Sequence, residues 1–151
     1  MNEVLHTEDW HVEQLSSTMQ QEDVDAVWAW DHMTPREALD HSVKNSRTTL
    51  TWLSEGEVAA VFGYSSPNLL SNIACPWMLG SPLLMEKPRY FLGASKQWVD
   101  GLKERFSYMS NVVDARHTRS VRWLKWLGAT VHPATPMGAE GLPFHLHEMR
   151  N

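Results

Sequence analysis

The chain has 151 residues, 42% hydrophobic and 21% charged, with a formal net charge of −5. That fits one domain, residues 1–151, with a sizeable core and the composition of a soluble globular protein. No apolar run approaches the roughly 20 residues of a membrane span, the acidic start MNEVLHTEDWHVEQL has no apolar core of a secretory signal, and the single cysteine, Cys75, excludes an intrachain disulfide and a cysteine-based zinc site and points to a reducing setting.

In chain order, TEDWHVEQLSSTMQQEDVDAVWAWD reads as helix from about Asp9. Val12, Leu15 and Met19 share one face, and Val24, Val27 and Trp28 another, with a break near Gln20–Glu22. MTPREALDHSVKNS opens with Thr34, Pro35 and Glu37, a capping box with proline at the first helical position, and should run to about Asn45. TTLTWLSEG is a β-branched run ending at Glu55-Gly56, a hairpin-turn signal. EVAAVFGYSS is the return strand, its continuous apolar stretch suggesting burial on both faces. PNLLSN is a loop or one helical turn, and ACPWMLGS a short central strand. KPRYFLGASKQWVDGLKERF is a helix with Phe91, Ala94, Trp98, Leu102 and Phe106 on one stripe. YMSNVVDA is a strand, RHTRSVRWLKWLG a helix closed by Gly128, and ATVHP and FHLHEM are closing strands. Strands with helices interposed late in the chain make an α/β or α+β domain.

Charge is distributed unevenly. Residues 1–40 carry ten acidic side chains and one basic, whereas residues 86–126 carry nine basic and four acidic. Either these are two oppositely charged surfaces of one fold, or the basic segment is a site for a phosphate-bearing ligand. On a wheel of residues 116–128, Val121, Leu124, Leu127 and Gly128 face a sheet. Arg116, Arg119, Arg122 and Lys125 form a slowly turning basic stripe flanked by Trp123 and Trp126. Tryptophan and arginine are favoured interface anchors, so Arg119, Arg122 and Trp126 are the candidate partner surface. The acidic chain carries no motif that would make the stripe a nucleic-acid site.

The blocks DVDAVWAW, PREALDHS, SSPNLLSN, CPWMLGS, PRYFLGASKQWVD, NVVDARHTRSVRWLKWLGA and PFHLHEM resemble a family of small GNAT-like proteins of short-tailed bacteriophages, which includes an internal virion protein. The strand–helix–LGA–strand ending resembles the last motif of the GNAT acetyltransferases. The resemblance implies a single GNAT-like α/β domain, a twisted mixed sheet with helices on both faces. It also implies an acetyl-CoA site where ACPWMLGS and YMSNVVDA splay. There the backbone of Trp77, Met78, Leu79, Gly80 and Ser81 would line the cofactor, with Lys87 and Arg89 near its phosphates.

The sequence departs from that family at two positions. The loop LGSPLLMEKPRY has one glycine, Gly80, where the family has a glycine pair, and Pro82 and Pro88 each remove an N–H donor. Leu124 falls where many acetyltransferases place a proton-donating tyrosine, and His117 where they place an asparagine. The candidate general bases are Asp114, His117 and Glu57. His145 and His147 share a strand face, but no spacing completes a metal site. Asp114, His117 and Ser120 are triad residue types with nothing to mark an oxyanion hole.

Two functions follow as expectations. One is a phage protein on an acetyltransferase scaffold, degenerate for catalysis, acting through protein contacts in virion assembly or in the host cytoplasm. The other is an acetyl-CoA-dependent N-acetyltransferase with an atypical pyrophosphate loop.

Overall fold

In the computed structural model, which describes residues 1–68 and 70–151, the chain starts with a strand that the sequence pattern does not announce. β1 (Asn2–His6) is an edge strand with only Asn2 partly covered, so NEVLH carries none of the alternation that marks a half-buried strand. The two N-terminal helices follow as expected, α1 (Asp9–Thr18) and α2 (Gln21–Asp31). At the start of α1 the fully buried His11 turns its Nδ1 back to accept the Glu8 N–H at 2.9 Å. α3 (Pro35–Asn45) has the expected box: Thr34 Oγ1 accepts from the Glu37 N–H, and the Glu37 carboxylate accepts from the Thr34 N–H.

β2 (Thr48–Ser54) and β3 (Glu57–Ser65) form the expected hairpin. Its turn residues Glu55 and Gly56 both have positive φ, 52° and 78°, as a right-twisted two-residue turn requires. β3 is buried nearly throughout. The segment 67–72 lies partly outside the described residues. β4 (Ile73–Gly80) is followed by a 3-10 helix (Pro82–Glu86), α4 (Pro88–Arg105), β5 (Tyr108–Asp114), α5 (Thr118–Trp126), β6 (Thr130–Val131), β7 (Thr135–Met137) and β8 (Leu142–Arg150). β7 carries Pro136, which is tolerated because it is an edge strand.

The eight strands make one mixed sheet in the order β1-β2-β3-β4-β5-β8-β6, with β7 on the same edge of β8 as β6. Every pairing is antiparallel except β4 with β5. Alternate residues of each strand reach opposite faces. Val58 and Val61 pack with Leu15 of α1 and Leu39 of α3. Tyr64, Ala74, Met109 and Met149 pack with Val99 and Leu102 of α4 and Leu127 after α5. Helices therefore cover both faces, the α/β architecture expected.

Candidate functional site

The two central strands of the sheet part company, and the sequence supplies the cause. β4 pairs with β3 from Ala60↔Gly80 to Ser65↔Cys75, but with β5 only at Ile73↔Tyr108 and Ala74↔Met109. The Ser81 N–H donates to the Ala59 carbonyl, which fixes the phase of the antiparallel ladder. The N–H groups of Leu79, Trp77 and Cys75 then point to β3, while positions 80, 78 and 76 turn their backbone toward β5. Position 76 is proline and has no N–H to continue the parallel ladder. Its carbonyl is met by the Asn111 side-chain amide at 2.8 Å. The ladder ends where the donor is missing, and Asn111 spans the gap.

A cavity of about 720 Å³ occupies this splay, a size suited to a small organic ligand. Phe62, Met78, Trp98 and Trp123 line it on the α4–α5 face, and Asp23, Trp30 and Trp77 on the α1–α3 face, so it passes through the sheet. Met78 alone of residues 77–81 turns a free N–H into the splay. The amides of Trp77 and Leu79 serve β3, that of Gly80 donates to Asp23 Oδ2 at 2.9 Å, and that of Ser81 to Ala59. The expected cofactor backbone, Trp77 to Ser81, thus narrows to one donor.

A polar cluster closes one end of the cavity. Asp23, buried on α2, accepts from Gln20 Nε2 and the Gly80 N–H through Oδ2, and its Oδ1 lies 3.1 Å from His117 Nε2. Ser120 Oγ lies 3.1 Å from the same nitrogen. Both contacts fall on Nε2, whereas a triad places the carboxylate on one ring nitrogen and the nucleophile on the other. The carboxylate takes the Nε2 hydrogen, which leaves no base facing Ser120. His117 Nδ1 is buried without a partner. His117 is therefore a strut between α2 and the start of α5. Asp23 was not legible as a site residue; its one signal is a carboxylate four residues before Val27 on a helix face that turns inward.

The other candidate bases are not poised for catalysis. Burial pushes the Asp114 carboxyl up, but hydrogen bonds from the Arg116 guanidinium and N–H, with the charges of Arg116 and His117, outweigh it and hold the carboxyl below its ordinary range. Such a group is a weak base. Glu57 is exposed at the tip of the β2–β3 hairpin and does not line the cavity. Burial pushes the Cys75 thiol up, with a smaller opposing effect from a Ser65 hydrogen bond, so the thiolate is disfavoured.

The loop after β4 does not fit a diphosphate. A Cβ on Gly80 would meet Leu84 Cδ1 at 2.6 Å and the Ala59 carbonyl oxygen at 3.3 Å, so its bare side is filled by the protein's own 3-10 helix. Beyond the Gly80 and Ser81 amides already spoken for, the Leu83 N–H goes to Ser81 Oγ and the Leu84 N–H to the Ser81 carbonyl. Pro82 and Pro88 have none to give. The first turn of α4 keeps two open amides, Arg89 and Tyr90, since Phe91 bonds to Lys87. Lys87, expected near phosphates, pairs with Glu55 at 3.4 Å, and neither it nor Arg89 lines the cavity.

Along α5, Leu124 and Leu127 are buried as the wheel required, and Trp123 turns inward, its indole N–H on Ser95 Oγ at 3.1 Å. Trp126 is 51% exposed beside the exposed Arg122. Arg119 leaves the proposed surface: its guanidinium reaches Gln20 Oε1 at 2.7 Å and Glu22 at 3.4 Å. His145 bonds the His132 carbonyl, while His147 is 7% exposed on the cavity wall and makes no hydrogen bond among the described residues. Burial lowers its pKa to about 4. Among the described residues no three metal-ligating side chains gather.

No family model matches the sequence, and no curated protein matches it. Solved structures do match in fold. A GNAT-family acetyltransferase from Streptococcus pneumoniae aligns with a TM-score of 0.64 at 13% identity, covering 99% of each chain. A ribosomal-protein-alanine N-acetyltransferase from Brucella melitensis aligns at 0.70 and 12%, also over 99% of each. A Salmonella typhimurium protein solved with its cofactor acetyl-CoA aligns at 0.68 and 13%, over 99% of this chain and 94% of that one. The fold is that of the GNAT acetyltransferases.

Proposed function

We propose that this chain is a bacteriophage protein on a GNAT fold that has given up the diphosphate grip on acetyl-CoA and acts through protein contacts, in the virion or in the cytoplasm of the infected host. The observation that carries the first half is the fate of the loop amides. Gly80, Ser81, Leu83 and Leu84 all spend their N–H groups inside the protein, and Leu84 packs against the bare face of Gly80. A diphosphate carries its charge to backbone donors in the loop and at the helix start; here the loop donors are satisfied, and only Arg89 and Tyr90 stay open in the first turn of α4. The buried Leu124 supplies no proton at the family's tyrosine position. The phage assignment rests on the sequence blocks quoted above, and the contact surface on Arg122 and Trp126.

Calorimetric titration with acetyl-CoA, with desulfo-CoA as control, tests this directly. No binding at millimolar ligand is expected; micromolar binding overturns the reading. For the surface, Arg122→Glu combined with Trp126→Ala should fold as the parent does yet be missing from purified phage particles. Normal incorporation would remove Arg122 and Trp126 from the role.

One observation favours a second reading, an acetyl-CoA-dependent N-acetyltransferase with an atypical loop. The through-sheet cavity and the open Met78 N–H keep the part of the site that would receive an acyl-bearing arm. Micromolar acetyl-CoA binding in the same titration would favour it.

A further inference from the structure

Two helices of this protein balance their exposed charge one turn apart: α3 pairs Arg36 with Asp40 at 3.1 Å, and α4 pairs Lys96 with Asp100 at 3.6 Å. The acidic α2 is met from α5 and the turn before it, Arg119 reaching Glu22 and His117 reaching Asp23. What remains is a pair of outer faces that each carry one sign. α1 has Asp9 and Glu13 and no lysine or arginine, and α5 has Arg122 and Lys125 beyond Arg119 and no acidic residue. All four of these side chains are exposed, and none forms an ion pair among the described residues.

The helix dipole accounts for Asp9 in the first turn of α1 and for Lys125 in the last turn of α5. It does not account for Glu13 and Arg122, each in the middle of its helix, and Asp9 and Glu13 repel one another across one turn. Each face also shows an indole to solvent: Trp10 is 43% exposed on α1 and Trp126 51% on α5. At roughly 100° per residue, Asp9, Trp10 and Glu13 fall within one narrow arc, and so do Arg122, Lys125 and Trp126. The helices lie on opposite faces of the sheet, α1 packed with Leu39 of α3 and Trp123 of α5 with Phe91 of α4. One copy cannot bring these faces together; two copies can.

We propose that the protein associates with itself head to tail, the acidic outer face of α1 in one copy seated on the basic outer face of α5 in the next. Set antiparallel, the two helices place Asp9 against Lys125 and Glu13 against Arg122, over axial spans of about 6 Å and about 4.5 Å, with Trp10 against Trp126. Because the two surfaces differ, each pair of copies keeps one face of either kind open, and the assembly grows beyond a dimer into a ring or a filament. Exposed ion pairs are weak singly and screened by salt, so the contact is weak and salt-sensitive. The proposal rests on the reading of α5 as a contact surface and names the partner it meets.

Sedimentation equilibrium of the full chain over a concentration series up to millimolar tests it. At low salt the weight-average mass should rise above the 17.3 kDa of one chain. Half-molar salt should weaken the association by about tenfold. Arg122→Glu with Lys125→Glu, and separately Asp9→Lys with Glu13→Lys, set like charges across the contact. Each double variant alone should associate about tenfold more weakly than the parent. An equimolar mixture of the two should recover association, because every acidic face again finds a basic one. A parent that stays monomeric, an association indifferent to salt, or a mixture no stronger than its components overturns the proposal. A monomeric parent, with the Arg122→Glu, Trp126→Ala variant missing from particles, sinks this contact and leaves the virion role. A self-associating parent whose variant is incorporated normally upholds this contact and sinks the virion role.

Discussion

His147 is the side chain whose environment departs furthest from its sequence appearance. In the FHLHEM strand it shares a face with His145, two residues away, and that much is legible. Its burial is not legible, because that depends on β8 lying inside β6 and β7 in the sheet. The consequence is a pH dependence with a definite sign. Burial lowers the folded pKa to about 4, while the unfolded imidazole titrates near its ordinary value of 6.5. Between those values the unfolded chain holds the extra proton, so stability falls as pH drops from about 6.5 to about 4. The gap corresponds to on the order of 3 kcal/mol. His11, also lowered by burial against an opposing Glu8 charge, contributes in the same direction. Asp114 acts in a lower window, since its depressed carboxyl loses its advantage only as pH falls below the ordinary aspartate range. Thermal melts at pH 7 and pH 4.5 should therefore show a smaller acid loss for His147→Gln than for the parent. An equal loss in both would mean that His147 takes up its proton in the folded chain as readily as in water.

At the scale of elements, the helices with local signals were readable and the elements without them were not. α3 announces itself through Thr34, Pro35 and Glu37, and α4 and α5 through their apolar stripes. β1 and β7 are exposed edge strands, so neither has a buried face to impose alternation, and both are held by pairing with a distant partner. The 3-10 helix at Pro82–Glu86 is set by Ser81, whose hydroxyl accepts the Leu83 N–H, a turn device that a run reading SPLLME does not separate from an ordinary loop. The splay is a different case. Pro76 was visible in CPWMLGS, but its effect on the β4–β5 ladder needs the register that puts its missing donor on the β5 side. Two tryptophans on neighbouring helices show how far a wheel can reach. Trp98 packs edge-on to Phe62 and against the cluster of Tyr64, Val99 and Leu102, whereas Trp126 points outward. Trp98→Ala should cost about 3 kcal/mol, and Trp126→Ala about 0.5 kcal/mol or less. Denaturant unfolding of both variants checks the difference, and comparable losses would place Trp126 in the core.

Over the whole molecule, the acidic N-terminal segment and the basic later segment meet at one junction. Arg119 of α5 holds Gln20 and Glu22 at the start of α2, and Arg116 reaches the Asp25 carbonyl at 3.4 Å. The centre of this junction is Asp23. It accepts from Gln20, from the Gly80 N–H at the end of β4 and from His117 before α5, so one carboxylate joins an N-terminal helix, the central strand and the C-terminal helix. Its residues lie 57 and 94 positions from Gly80 and His117, which is why no local pattern marks them. Asp23→Ala would leave two buried donors, Gln20 Nε2 and the Gly80 N–H, without an acceptor and His117 Nε2 with Ser120 Oγ alone, and its cost should reach about 3 kcal/mol. The neighbouring Glu22→Ala, which touches only the rim of Arg119, should cost about 0.5 kcal/mol or less. A double-mutant cycle of Asp23→Ala with His117→Phe isolates the contact between the ends of the chain, and a coupling of about 1 kcal/mol or more is expected. Additive losses would mean that α2 and α5 are each held to the sheet independently, and that the His117 ring is seated by packing rather than by Asp23.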